Sequence, residues 1–378
     1  MDWIISTIYY VVPFIVLLGI LVFVHEFGHF IIARILGVKV SAFSIGFGKV
    51  LLSKTDKNGT EWKISAIPLG GYCQFLGDAD ASSSTSETDL SKFSEEEQKH
   101  LFVTQSPSKK MAIAIAGPLF NYIFAFVVFF GLFFFVGSYD IPPVVSSVIE
   151  NSPAEKAGIK ENDRILEING KKIQEWSEIS QEISLSVTDA HLKIERDGNE
   201  IELILPVETM EYAFDESEKP IKRKMIGIKG EAKRFNISKD RFNFVESVRK
   251  SAKELYNVTD MTLRGVGQMI TGERSSEDVG GIIRIAEMSG DISRSRSFWD
   301  FLSFMALLSI NLGLINLFPI PLLDGGHVII YLLEIVSRRE LSVKIKDALF
   351  KVGFGFILFL MVFATWNDIK HLITRWFE

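Results

Sequence analysis

The stretch VVPFIVLLGILVFVHEFGH, residues 11–29, decides how this chain is read. Val11–Val24 carries no charge at all. Three ionisable side chains then follow within one turn: His25, Glu26 and His29. On a helix, positions i and i+4 share a face and lie about 6 Å apart along the axis. Two imidazoles at that spacing converge on one metal ion, and Glu26, next to the first, can reach a water held there. The bland reading is a pair of core histidines on a soluble helix. The setting argues against it, because ionisable groups inside an apolar span are costly and usually functional.

Working outward, four apolar stretches are long enough to cross a hydrocarbon core of roughly 30 Å. They run about Ile4–Leu36, Met111–Val136, Trp299–Pro319 continuing to Ile335, and about Ala348–Trp366. The second has no charged residue, which a buried core helix of that length would not need. The first has no basic residue before it and no small-residue cleavage site after it, so it reads as a retained span rather than a signal peptide. Composition agrees: of 378 residues 47% are hydrophobic and 31 are Phe, yet 23% are charged, so a water-facing part exists as well. The net charge of −6 argues against nucleic-acid binding through bulk charge. The single cysteine, Cys73, makes neither an intramolecular disulfide nor a cysteine zinc cluster. The fold class expected is a multi-pass α-helical membrane protein with four transmembrane helices.

Lys and Arg in the flanks set the orientation. Arg34, Lys39, Lys49, Lys54, Lys57 and Lys63 follow the first span; Lys109 and Lys110 precede the second; Arg338, Arg339, Lys344 and Lys346 lie between the third and fourth. The rule places residues 37–110 and 337–347 in the cytoplasm, and both termini and residues 138–298 outside. The spans are then 1–36, 111–137, 299–336 and 348–366, with a tail at 367–378. Within residues 37–110, Val38–Leu76 carries Gly46-Phe47-Gly48, Asn58-Gly59 and Gly70-Gly71 and is too apolar for a surface loop. It reads as a β-hairpin dipping against the membrane core, sheltered by protein. Ala79–Glu97, rich in Ser, Asp and Glu, reads as a mobile loop.

The outside segment contains SVIENSPAEKAGIKENDRILEING, residues 147–170. It reads as a strand, a short helix from Pro153 stopped at Gly158, a strand Arg164–Ile168 and an Asn169-Gly170 turn. Alternation resumes in His191–Arg196 and Glu200–Pro206, joined by Asp197-Gly198. This order resembles a circularly permuted bacterial PDZ domain, an α+β module over residues 138–215. The resemblance implies that extended peptide binds by strand addition to a sheet edge. Residues 216–298 would add a closing strand and an amphipathic helix, Phe244–Ile270, whose apolar positions recur at helical spacing.

Catalytic zinc needs a third protein ligand and an open fourth position. None follows the His25–His29 motif closely. The candidate is Asp324, in NLFPIPLLDGGH, residues 316–327, with His327 as the competitor. Asp324 is favoured because two histidines and one carboxylate form a standard hydrolytic zinc set; a helix-capping Asp is the alternative.

With these residues assembled, the chain resembles the site-2 protease family of intramembrane zinc metalloproteases. The closest branch is the bacterial, PDZ-bearing regulator-of-sigma-E protease group. His25-Glu26-x-x-His29 is similar to that family's first zinc motif, and Asn316–Gly325, with its Leu323-Asp324-Gly325 core, to the second. Ser44–Gly48 and Pro68–Tyr72 resemble its membrane re-entrant region, and Ala116–Asn121 the start of its second span. The resemblance implies Zn2+ held by His25, His29 and Asp324, with Glu26 as general base. It implies a substrate cleft shaped by Asn316, Pro319, Pro321, Gly46 and Gly48. The substrates implied are single-span membrane proteins cut in or near the membrane, such as anti-sigma factors or signal-peptide remnants, in a bacterial inner membrane. Two departures stand out: one PDZ copy where some members have two, and Ile282 where the family tends to have Pro. Two other classes are weighed against the enzyme. A non-catalytic membrane adaptor would have no evident use for Glu26. A zinc transporter would repeat polar residues along several spans, and spans two and four lack them.

Overall fold

The computed structural model describes residues 2–77, 90–137, 141–187, 189–212, 221–230, 242–276, 279–295 and 297–377. Residues 79–89 of the expected acidic loop and Ser138, where the outside segment was expected to begin, lie outside them. The chain forms two compact units, Met1–Phe130 with Ser251–Thr259 and Glu277–Glu378, and Gly131–Lys250 with Asp260–Ser276.

The first unit opens with helix α1, Asp2–Ile35, which carries the His25–His29 turn. Gly37, at φ +81, reverses the chain after it. Strands β1 (Val40–Thr55) and β2 (Glu61–Phe75) form an antiparallel hairpin that is sharply bent. Residues 42–45 of β1 pair with 61–64 on one side and with 71–74 on the other. The bend falls at Gly46 and Gly48, whose φ angles of +90 and +82 suit glycine alone. At Gly46 a Cβ would also lie 2.8 Å from the Ile67 carbonyl oxygen. The hairpin tip is tied to the end of α1: Arg34 Nη2 donates to Asp56 Oδ2 at 2.6 Å. Burial would raise the Asp56 pKa, but hydrogen bonds from Trp62, Thr60, Arg34 and Asn58 hold it down at about 2. Phe30, Phe43 and Phe75 pack with Trp62 as the core between α1 and the hairpin.

The stretch after residue 89 is partly ordered. Ser94 and Glu97 form a capping box on the short helix α2, Glu95–Gln98. Helix α3, Pro107–Gly131, continues as a π-helical turn through Val136. In this unit follow α7 (Ile282–Ser295), α8 (Phe298–Asn316), α9 (Asp324–Ser337) and α10 (Val343–Phe377). Helix α7 was not read from the sequence. Its N-terminus is capped from α10, where Asp368 accepts from the amides of Gly281 and Ile283 at 2.8 and 3.0 Å. Among the described residues four helices are long and apolar enough to cross a membrane: Tyr9–Ile35, Pro107–Val136, Phe298–Asn316 and Val343–Thr374. On α10, Val352, Phe354, Phe359, Val362 and Trp366 are exposed, as on a helix solvated by lipid.

Two boundaries are corrected. The third span does not run on to residue 336. Helix α8 stops at Asn316, because Pro319 and Pro321 supply no amide hydrogen, and a second helix starts at Asp324. The residues expected as a tail from 367 are part of α10, which reaches Phe377.

The second unit is built on a four-stranded sheet, β5-β4-β6-β7, from Lys171–Lys172, Arg164–Ile168, Asp189–Arg196 and Asn199–Pro206. Strand β3 (Ser147–Val148) pairs with β10 (Ile228–Lys229), and β8 (Glu208–Tyr212) with β9 (Ile221–Met225). Short helix α4, Pro153–Lys156, is capped by Ser152. Helix α5, Trp176–Leu185, lays Ile179 and Ile183 on Ile165, Ile168, Leu192, Ile194 and Leu205. Asn169 and Asp197 take positive φ at their turns, as Asx-Gly hairpins require. Helix α6, Phe244–Thr271, begins with an Asn243 capping box. Its Arg264 reaches the buried Glu182 of α5 at 2.5 and 2.6 Å, and Lys171 joins the same carboxylate at 2.8 Å.

Candidate metal centre

The break between α8 and α9 is what builds the site. Gly325 and Gly326 let residues 317–321 fold down on the start of α9. A Cβ at Gly325 would strike the carbonyls of Leu317 and Phe318, and one at Gly326 would sit 2.7 Å from Pro321 Cα. Gly353 of α10 closes on the Pro321 carbonyl in the same way. The turn delivers Asp324, the first residue of α9, against the His25–His29 face of α1. Leu322, at φ +84, strains the backbone just before it.

One ligand atom from each of His25, His29 and Asp324 lies within 4.8 Å of the other two. His25 Nε2 is 3.1 Å from Asp324 Oδ2, and His29 Nε2 is 3.5 Å from Oδ1. The two Nε2 atoms are 3.4 Å apart, so the three groups converge on a common point. Asp324 Oδ2 is buried with no hydrogen-bond partner among the described residues, an arrangement that is costly unless a cation completes it. His29 Nδ1 is occupied by the Ile113 carbonyl of α3 at 2.8 Å, so its Nε2 is left with the lone pair. The donor set is two imidazole nitrogens and one carboxylate, which suits tetrahedral zinc with one open position.

The site opens into a cavity of about 250 Å³. Its wall includes Glu26, Asn316 and His327 beside the three clustered residues, together with Gly71, Tyr72 and Cys73 from β2. Gly71 allows the strand to approach: a Cβ there would meet Val22 Cγ1 at 2.8 Å and Glu26 Cγ at 3.5 Å. Of the cleft residues expected from the resemblance, Asn316 lines this cavity. Gly46, Gly48, Pro319 and Pro321 are not among its lining residues: the glycines bend the hairpin and the prolines end α8. His327, the competing third ligand, also lines the cavity but stands outside the three-atom cluster, its ring 5.2 Å from Phe350 and 6.1 Å from Tyr331.

The sequence reading missed what α3 contributes. Ile113, Gly117 and Asn121 form one stripe of that helix at i, i+4 and i+8. Gly117 leaves room for the His29 ring, which a Cβ would strike, and Asn121 touches His25 at 3.1 Å. Asn121 is the only amide side chain in Met111–Val136, and a polar group in such a run is a signal in itself.

Residues 13–360 match the family described as Peptidase family M50. A protein of Agrobacterium fabrum is 38% identical over 365 residues, covering 96% of each chain. One from Rhizobium meliloti is 38% identical over 384 residues, covering 98% of this chain and all of that one. One from Campylobacter jejuni is 35% identical over 359 residues, covering 95% of this chain and 93% of that one. All three carry the name "putative zinc metalloprotease".

Proposed function

The chain belongs to Peptidase family M50, and we propose that it cuts single-span membrane proteins in or near their transmembrane segment. It is a zinc metalloprotease. The observation that carries the finer reading is the position of the three ligand atoms. His25 and His29 lie on a helix long and apolar enough to span a membrane, and Asp324 starts the helix that follows another such helix. Cleavage at that position acts on a segment that is itself within the bilayer.

In this reading His25, His29 and Asp324 would hold zinc, which would supply Lewis acidity to a water and to the scissile carbonyl. Glu26, on the cavity wall and outside the ligand cluster, takes the proton from that water. It then returns the proton to the leaving amine. A helical substrate hides its carbonyl in an intrahelical hydrogen bond, so it has to unwind locally before attack. The β2 segment Gly71–Cys73 forms one wall along which an unwound stretch passes, and Asn316 stands ready to hydrogen-bond it. Residues 37–110 then form the cytoplasmic, re-entrant side, with both termini outside.

The second unit is read as the PDZ domain on the outer side of a bacterial inner membrane. A groove of about 270 Å³ between α5 and residues 224–230 supports this, because it leaves room for an added peptide strand. The domain screens substrates by the bulk of their outer portion, so a trimmed substrate is cut faster than a full-length one.

One experiment tests the whole reading. The full chain in detergent is given a single-span reporter, with and without a bulky outer domain. Stripping zinc with a chelator is expected to stop cleavage, and adding zinc back to restore it. Cleavage that persists without zinc overturns the mechanism, and equal rates on the two reporters overturn the screening role.

Asn316→Leu separates turnover from metal binding. The Asn316 side chain faces the cavity but is not among the clustered ligand atoms. Turnover is expected to fall about 10²–10³-fold, the scale of a lost transition-state donor, with zinc content unchanged. Gly46→Val is expected to act in the same direction through the hairpin bend. Parallel loss of zinc and turnover in both variants would refute the assignment.

A further inference from the structure

We propose that Asn121 is the positioning residue for His25, its side-chain carbonyl accepting the Nδ1 proton when metal occupies Nε2. The inference rests on the reading that His25, His29 and Asp324 hold zinc. Asn121 is fully buried, and its Nδ2 lies 3.1 Å from His25 Nδ1. Its Oδ1 is buried with no hydrogen-bond partner among the described residues.

With Nδ2 toward the ring, the contact is an amide NH2 against an imidazole nitrogen. An amide NH2 only donates, so His25 Nδ1 would have to be bare and Nε2 protonated. A protonated Nε2 cannot be a ligand. A half-turn of the amide exchanges its oxygen and nitrogen while the heavy atoms keep their places. Oδ1 then accepts from Nδ1–H, the NH2 takes the place the oxygen held, and Nε2 is left free for metal.

The partner histidine supports this orientation. His29 Nδ1 already meets a carbonyl oxygen, that of Ile113 at 2.8 Å. With the amide turned, both imidazoles donate through Nδ1 to oxygens on one stripe of α3, and both present Nε2 to Asp324. Ligating histidines are commonly fixed in this way by an acceptor behind the ring.

Asn121 is itself clamped from α8. Ser309 Oγ donates to its backbone oxygen at 2.9 Å, and a Cβ at Gly313 would lie 3.2 Å from Asn121 Cβ. The side chain therefore has little freedom except the amide turn. It links α8, the helix preceding the Asp324 turn, to the histidine on α1.

The test measures zinc affinity in the full detergent-solubilised chain by competition with a chromophoric chelator. Asn121→Leu, similar in size but without an acceptor, is expected to bind zinc about 10–100-fold more weakly. Asn121→Asp keeps an acceptor oxygen and is expected to stay within a few-fold of wild type. Wild-type affinity in the Leu variant, or equal losses in both variants, overturns the proposal; the second result would mean the residue only packs. Nitrogen-15 NMR of histidine-labelled wild type gives an answer that does not depend on a variant folding. The zinc-loaded protein is expected to show His25 protonated at Nδ1, and a bare Nδ1 overturns the proposal. Asp324→Ala is run alongside: if it binds zinc as wild type does, the three-ligand reading has failed, not the role of Asn121 alone.

Discussion

Glu26→Gln is expected to lower cleavage of a single-span reporter by about 10²–10⁴-fold, the usual contribution of a general base, with zinc content unchanged. The two readouts separate because Glu26 lines the cavity while the metal cluster consists of His25, His29 and Asp324. Gln has nearly the same volume, so the packing against Gly71, where an added Cβ would lie 3.5 Å from Glu26 Cγ, is kept. What is lost is the lone-pair basicity that takes a proton from water. If cleavage stays near the wild-type rate, the base lies elsewhere. If zinc is lost in step with cleavage, Glu26 supports the metal instead. Equal cleavage with equal zinc in the two proteins would mean that the cleavage is not this site's, and the adaptor reading would then lead.

The convergence of His25, His29 and Asp324 was legible in the sequence where it depends on local spacing. His25 and His29 are one turn apart, and helix geometry alone aims them at one point. Asp324 was legible by its oddity, a carboxylate between prolines and glycines in apolar sequence. The turn signals of the second unit were equally local: Gly158, Asn169-Gly170 and Asp197-Gly198 all take the positive φ that such turns require. What could not be read was set by partners distant in sequence. Helix α7 owes its first turn to Asp368, more than eighty residues later. The end of α8 is signalled locally by Pro319 and Pro321, but the fold-back of residues 317–321 on Gly325 and Gly326 is not recorded by hydropathy. Gly46, Gly48, Pro319 and Pro321 were placed at the cleft by the resemblance; their backbones bend the hairpin and end α8, and they do not line the cavity beside Asp324. The Ile113 carbonyl is invisible to any sequence pattern, since every residue has one.

Gly117→Ala is expected to cost zinc affinity about 10–100-fold or more while leaving the helix intact. Ala is better than Gly within a helix by roughly 0.5–1 kcal/mol, but the following Pro118 disfavours the helical backbone for a residue with a Cβ, so only part of that gain is realised. The new methyl, however, falls on the His29 imidazole. That ring has no retreat. Its Nδ1 is tied to Ile113, one turn earlier on the same helix, at 2.8 Å. Nor can the helices part easily, because Gly28 of α1 meets the Ala116 carbonyl as closely as Gly117 meets His29. Overpacking of this kind costs about 1–3 kcal/mol, which the gain in helix propensity partly offsets. Stability should therefore fall by about 1–2 kcal/mol, so unfolding is measured beside the loss at the metal, where a displaced Nε2 would remove one of three ligands. Gly19→Ala provides the control on α1, since a methyl there meets nothing within 4 Å. It should leave zinc affinity at the wild-type value. Chelator competition on both variants, with thermal unfolding alongside, decides the matter. Wild-type zinc affinity in Gly117→Ala would mean that His29 can leave its place without consequence for the metal, and the ligand set would have to be reassigned.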